Sequence, residues 1–123
     1  MDISETGQRV VKSPHWKWLV GMNVVSPPKH DGATGYCHRI MIDGFYSYVD
    51  GEFPDLIDAA TIGCFLGLLR DVLGTRDVYL KPEWNQSGEE SWTCYVRPKN
   101  KKVWRMYTGY SEGEALMYAL EKV

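Results

Sequence analysis

The sequence lacks the features that would assign it to a membrane, a metal centre or a secreted disulfide framework. It has no run of about 20 apolar residues, and its N-terminus has no apolar signal-peptide segment, so we expect a cytoplasmic protein without a membrane partner. Its three cysteines are odd in number and far apart, and no C-x-x-C pair occurs, which argues against zinc and thioredoxin-like sites. We therefore expect no metal, no cofactor and no disulfide.

Catalytic motifs are missing as well. The three histidines belong to no H-x-x-x-H or H-x-E pattern, and no glycine-rich phosphate loop occurs. His38 adjoins Cys37, but neighbouring residues on a strand point to opposite faces and cannot form a thiolate–imidazole pair. The sequence therefore predicts a protein that is not an enzyme.

The size and charge of the chain are those of one ordinary globular domain. Its 123 residues are enough to bury a core, and the net charge of −2 argues against bulk attraction to nucleic acid or membranes. Five Trp and eight Tyr are present, residue types that both interfaces and small β-rich cores use. We expect a polar, loosely ordered tail over residues 1–14 and a single domain over residues 15–123.

One segment, from Asp55 to Gly74, is both strongly helical and strongly apolar. Apolar residues recur along it at the spacing of one helix face: Ile62, Phe65, Leu66, Leu69, Val72 and Leu73. This pattern predicts the main helix over about residues 56–74. Asp55 or Asp58 can cap its start, and Gly74 is expected to end it in a left-handed conformation.

Short aromatic-rich runs around this helix predict strands. The turn Asp43-Gly44 predicts one hairpin, residues 92–97 and 103–108 predict a second, and residues 81–90 are expected to be a loop. Ser111 and Glu114 have the spacing of a capping box and predict a C-terminal helix over about residues 111–122. The whole order predicts an α+β domain, with helices packed on an antiparallel sheet of about five to six strands.

Charge is distributed unevenly along the chain. Between residues 40 and 69 the only charged side chains are acidic: Asp43, Asp50, Glu52, Asp55 and Asp58. Between residues 91 and 111 they are all basic: Arg97, Lys99, Lys101, Lys102 and Arg105. Turn chemistry, helix capping and a solvated hairpin tip would explain both groups. Alternatively, the acidic segment engages a basic, nucleic-acid-handling partner and the basic hairpin contacts phosphates.

Several predicted strands carry apolar or aromatic side chains on both faces. Two helices cannot cover both faces of such a sheet, so part of it would be shared with a second copy in a homodimer or offered to a partner. An ordinary surface distribution of tyrosine is the alternative. The candidate aromatic contacts are Tyr46, Tyr48, Tyr95 and Tyr107.

Three motifs together give a resemblance. They are W-x-W-x-x-G-M at residues 16–22, D-x-x-T-x-G-C followed by an apolar run at residues 58–70, and S-x-x-E-A-L at residues 111–116. In these motifs, which cover about a third of the chain, the sequence resembles small uncharacterised phage and prophage accessory proteins. The resemblance implies a viral gene whose product binds a host protein, for example an inhibitor of bacterial defence of the anti-CRISPR kind.

Three functions are compatible with these observations. The first is a non-enzymatic, phage-encoded protein that occupies a host protein in the bacterial cytosol, through the acidic segment and the tyrosines. The second is a nucleic-acid-binding accessory protein that uses the basic hairpin, residues 97–105. The third is a minor virion or assembly protein.

Overall fold

The structure is a computed structural model that describes residues 1–26, 37–41, 51–84 and 86–123. Within these ranges the chain forms three helices and six strands. In chain order they are α1 (Ile3–Val10), β1 (Asn23–Val25), β2 (Cys37–Arg39), β3 (Phe53–Pro54), α2 (Ala59–Leu73), β4 (Val78–Trp84), β5 (Glu90–Val96), β6 (Arg105–Gly109) and α3 (Glu112–Glu121). The predicted α+β class is confirmed.

The strands form two antiparallel three-stranded sheets, where one sheet of about five to six strands was predicted. In the first sheet β1 lies between β2 and β3, and in the second β5 lies between β4 and β6. Proline limits each sheet at one edge, because Pro54 in β3 and Pro82 in β4 have no N–H with which to extend a ladder. The strand number per sheet is therefore smaller than predicted.

The two predicted helices are present, and their ends are those that the sequence indicates. The Asp58 carboxylate caps α2 by accepting a hydrogen bond from the Thr61 N–H, so the helix begins a few residues later than expected. Gly74 ends it with φ +65°, in the left-handed region. The Ser111 side chain caps α3 by accepting from the Glu114 N–H, at 3.1 Å.

The N-terminal segment is a helix and not the loose polar tail that its composition suggests. Helix α1 buries Thr6, Gly7 and Val10. The Arg9 guanidinium forms two hydrogen bonds to the Glu121 carboxylate at the end of α3, at 2.6 and 2.7 Å. A Cβ on Gly7 would lie 2.9 Å from a ring carbon of Phe53, so the helix approaches β3 closely. These stabilising contacts are distant in sequence, so local composition does not indicate them.

Residues 81–90 are largely a hairpin, and this corrects the predicted loop. Strand β4 continues to Trp84 and β5 begins at Glu90, and these two residues pair across the hairpin. Gly88, with φ +78°, supplies the positive φ in the connecting turn. The predicted pairing of the basic hairpin is confirmed, since β5 and β6 are antiparallel neighbours. The hairpin predicted at Asp43-Gly44 lies outside the described residues.

The main core lies between α2, α3 and one face of the second sheet. Its most buried members come from all three elements: Phe65, Leu69, Val78, Cys94, Val96, Leu116 and Leu120. A smaller cluster of Met22, Val24 and Ile40 supports the first sheet. The helices pack on one face of the second sheet, so the side chains on its other face are candidates for contact with a partner.

Candidate binding surface

The predicted acidic segment does not form an exposed acidic face among the residues that the structure describes. Glu52 is only 4% exposed and its carboxylate accepts a hydrogen bond from the Ser26 hydroxyl at 3.3 Å. Asp55 accepts from the side-chain amide of Asn23 at 2.9 Å and so ties the start of α2 to β1. Asp43 and Asp50, with the candidate contacts Tyr46 and Tyr48, lie outside the described residues.

Asp58 has a structural role in which three partners take part. Its carboxylate accepts from the Thr61 N–H at 3.0 Å and from the Thr61 hydroxyl at 2.8 Å. It also pairs with the Arg39 guanidinium through two hydrogen bonds, at 2.9 and 3.0 Å. The Arg39 contact, followed by the Thr61 donors, holds the pKa of the Asp58 carboxyl well below its usual range. Helix capping, the alternative interpretation of this acid, therefore describes it well.

No helix or strand that the structure describes packs on one face of the second sheet, which we call the outer face. Side chains alternate along a strand, so residues that neighbour the buried Val78, Cys94 and Val96 point away from the helices. The register places Tyr79 of β4 opposite Tyr95 of β5, and Tyr95 opposite Met106 of β6. By the same alternation the outer face consists of Tyr79, Lys81, Glu83, Ser91, Thr93, Tyr95, Met106 and Thr108, together with Trp104 just before β6.

Aromatic rings form a contiguous group at one end of this face. The rings of Tyr79 and Tyr95 are stacked, with centroids 5.0 Å apart and planes within 11°. Trp104 meets Tyr79 edge to face at 5.6 Å, and the Arg97 guanidinium lies over the Trp104 ring at 5.4 Å. Tyr79 nevertheless stays 44% exposed and Trp104 38% exposed, while Met106 beside them is 65% exposed. The group is ordered by its own contacts and still open to a partner.

Tyr95 anchors this aromatic group to the sheet. Its hydroxyl donates a hydrogen bond to the Glu83 carboxylate on the neighbouring strand, and that bond raises the pKa of the Tyr95 hydroxyl. Thr93, on the same face, is 2% exposed, and its hydroxyl lies 3.2 Å from that of Thr108. A satisfied polar layer therefore underlies the rings, and Tyr95 acts as the support on which Tyr79 stacks.

Tyr107 does not belong to the outer face. It pairs with Cys94, points to the helix side and packs against the main core. Its prediction as a partner contact is therefore not supported by its position.

The predicted basic residues divide into one structural arginine and four exposed cations. Arg97 donates to the Asp77 carboxylate at 2.8 and 2.5 Å while it covers Trp104. The other four are exposed, and their side chains make no hydrogen bond or ion pair with any residue that the structure describes. Arg105 pairs with the core-facing Val96, so its side chain lies on the helix side of the sheet. The three remaining cations, which we call the basic turn, are Lys99, Lys101 and Lys102. They lie in the β5–β6 connection, where Asn100 has a positive φ of 65°. The basic turn thus adjoins the aromatic end of the outer face.

The sequence indicated half of this surface. The sequence predicts the basic residues and Tyr95 as contacts but not Trp104, and it misses Tyr79, which lies just before the predicted loop over residues 81–90. The signal was present in the run VYLKPEW, in which Tyr79, Lys81 and Glu83 alternate with Val78, Leu80 and Pro82. Proline is tolerated in an edge strand, so this alternation can continue through Pro82. Extended in this way, the pattern predicts that Tyr79 lies on the exposed face of the strand.

Other candidate sites in the described part of the chain are weaker. A cleft of about 470 Å³ lies between the ends of α1 and α3, but its Arg9 is already held by Glu121. No group of three or more potential metal ligands occurs among the described residues. Within the same ranges, no helix has the length and apolar character needed to cross a bilayer. Comparisons with protein-family models, with curated proteins and with solved structures give no match to this chain.

Proposed function

We propose that this chain is a non-enzymatic binding protein whose contact surface is the outer face together with the basic turn. The observation that carries the proposal is the exposed apolar patch of Tyr79, Trp104 and Met106 beside cations whose side chains have no polar partner among the described residues. Single exposed apolar residues are common on protein surfaces, but contiguous ones rimmed by polar groups mark interaction sites. Aromatic residues and arginine are also the types that contribute most to binding energy.

The shifted titratable groups support binding more than catalysis, because each has a structural explanation. Burial in the core raises the pKa of the Cys94 thiol to about 12, which keeps it uncharged and unreactive. The low pKa of Asp58 follows from the helix cap and Arg39, and the raised pKa of Tyr95 from its bond to Glu83. Arg9, which lines the cleft between α1 and α3, also has a raised pKa, and its hydrogen bonds to Glu121 explain that shift.

The charge of the contact surface supports a negatively charged partner. The acidic residues Glu52, Asp55 and Asp58 serve internal contacts, so they give no support to a basic host protein bound through that segment. The basic turn faces solvent and has no acid within residues 91–111. As the resemblance to phage accessory proteins implies a bacterial host, we expect the partner there, with inhibition of a host nucleic-acid-handling complex as one form of the activity.

A capture experiment tests the proposal. Tagged wild-type protein, Trp104→Ala and Trp84→Ala would be incubated with a lysate of the host bacterium, with and without nuclease. Trp84 is the matched control, because it is 74% exposed but lies on the opposite face of β4. We expect a partner that Trp84→Ala retains and Trp104→Ala loses, with equal melting temperatures of the three proteins. Equal capture by Trp104→Ala and wild type would contradict the assignment of the surface.

A further inference from the structure

We infer that the occupant of this surface is a single strand of nucleic acid, with bases on the Tyr79–Trp104 group and phosphates on the basic turn. The inference rests on the proposed function, because it names the partner of the same surface. It depends on the nature of the rings, on the nature of the cations and on where acidic groups lie.

The rings offer what an unpaired base needs. Tyr79 and Trp104 expose ring surface on an open sheet, and Tyr95 and Arg97 hold them from beneath and beside. Stacking of bases on such rings requires that the bases are not already stacked and paired, so a single strand is favoured over a duplex. Because the rings are fixed before binding, little conformational entropy is lost when a base docks.

The cations favour phosphate over an acidic protein. All three cations of the basic turn are lysines, and lysine is depleted in protein–protein interfaces while it serves widely as a point charge for phosphate. Lys99, Lys101 and Lys102 lie within four residues of one another, next to Trp104. A flexible cluster of this kind can follow a backbone of repeating charges without reading its sequence, so we expect weak sequence preference.

By the strand register one acidic residue, Glu83, belongs to the outer face. Glu83 is half-buried, and its carboxylate accepts a hydrogen bond from the Tyr95 hydroxyl. Glu90 pairs with Trp84 and lies on the helix side, while Glu89 lies in the turn just before β5. The Glu83 carboxylate repels phosphate, so the strand is expected to run along the basic turn and not across the whole sheet. The nucleic-acid strand would contact few cations, and the protein has a net charge of −2. We therefore expect binding that is tight only at low salt.

The test is fluorescence anisotropy with labelled oligothymidylate of about 12 nucleotides, a length within the usual range for a small single-strand-binding domain. Three phosphate contacts, one for each lysine of the basic turn, at about 0.7 counterions each predict a slope of log K against log salt of about −2. The triple variant Lys99→Ala, Lys101→Ala, Lys102→Ala should bring that slope close to zero. The control, Lys12→Ala, Lys17→Ala, Lys122→Ala, removes the same charge from exposed lysines elsewhere and should leave the slope within about half a unit of wild type.

The rings are tested by the same assay. Trp104→Ala should weaken binding roughly tenfold, and Trp84→Ala should leave it unchanged, because stacking on one ring contributes about that much per base. Tyr79→Phe should bind like wild type and Tyr79→Ala should bind more weakly, since the ring and not the hydroxyl makes the contact. A duplex of the same length should bind at least tenfold more weakly than the single strand.

The outcomes separate this inference from the proposed function. Absence of oligonucleotide binding at about 50 mM salt, or equal binding of duplex and single strand, overturns the inference. If a nuclease-resistant protein is then captured from lysate in a Trp104-dependent manner, the proposed surface stands with a protein partner. If neither oligonucleotide nor lysate partner depends on Trp104, both proposals fail.

Discussion

Replacing Asp58 with alanine should cost more stability than replacing any other charged residue that pairs on the first sheet, because one carboxylate serves three partners. Loss of the helix cap costs about 1 kcal/mol. Loss of the half-exposed pair with Arg39 adds roughly 0.5 kcal/mol. The Thr61 hydroxyl, in a residue with no exposed surface, also loses its acceptor, at about 1 kcal/mol. The expected loss in the free energy of unfolding is therefore about 2–3 kcal/mol.

Two matched variants divide this loss between cap and charge. Asp58→Asn keeps an oxygen that can accept from Thr61 but loses the charge, and Arg39→Ala keeps the cap but loses the ion pair. Each should cost about 0.5–1 kcal/mol. Urea denaturation of the four proteins at neutral pH measures these differences. A loss below about 0.5 kcal/mol for Asp58→Ala, or an equal loss for Asp58→Asn, would refute the reasoning.

The same carboxylate gives the protein a defined dependence on pH. The folded-state pKa of Asp58 lies below that of an unfolded aspartate, which is about 3.9. Its charge therefore stabilises the fold fully above that unfolded value, and the stabilisation is lost as the pH falls below it. The stability difference between wild type and Asp58→Asn should be constant from about pH 5 upward and shrink by pH 3. A difference that instead grows on acidification would show that the sign is wrong.

Two further predictions concern packing. Leu69 has no exposed surface at the centre of α2, so Leu69→Ala should cost about 2–5 kcal/mol in urea denaturation, and a loss below about 0.5 kcal/mol would contradict its place in the core. Gly63→Ala should raise stability by about 0.5–1 kcal/mol, since no described atom lies within 4 Å of the added Cβ in mid-helix. Gly113→Ala should lower it by about 1–3 kcal/mol, because its Cβ would lie 2.7 Å from that of Leu56. Opposite signs for the two glycines in thermal melts check both assignments.

The parts of the fold that the sequence predicted well are those determined by local chemistry. Asp58, Gly74 and Ser111 act within a few residues of themselves, and each occupies the cap position that its type favours. The segments that were predicted wrongly depend on distant contacts. Helix α1 is stabilised by contacts with Glu121 and Phe53, which are more than 40 residues away in the sequence. The polar composition of the helix itself does not indicate these contacts. The division into two sheets likewise depends on which strands meet.

The candidate site was only partly predictable for a similar reason. The separation of acidic from basic residues is visible along the sequence, and it indicates the basic turn. The same argument also predicts Glu52 as a partner contact, although Glu52 is buried. The sequence does not distinguish a carboxylate that caps a helix or forms an internal ion pair or hydrogen bond from one that contacts a partner. Exposure distinguishes the two, and it is a property of the folded chain.

The position of the aromatic rings follows from the way this small fold assigns its apolar side chains to two faces. On β4 and β5 the aliphatic residues and the cysteine point to the helices, whereas Tyr79 and Tyr95 point outward. Tyrosine tolerates that position because its ring packs against neighbours while its hydroxyl finds Glu83. The stacking of Tyr79 on Tyr95 and the bond to Glu83 hold these rings in a fixed arrangement on the outer face. A rigid ring group beside flexible lysines separates two tasks, since the rings supply the apolar contact and the lysines attract charge from a distance. For this reason the ring variants should change affinity at every salt concentration, whereas the lysine variants should change chiefly its dependence on salt.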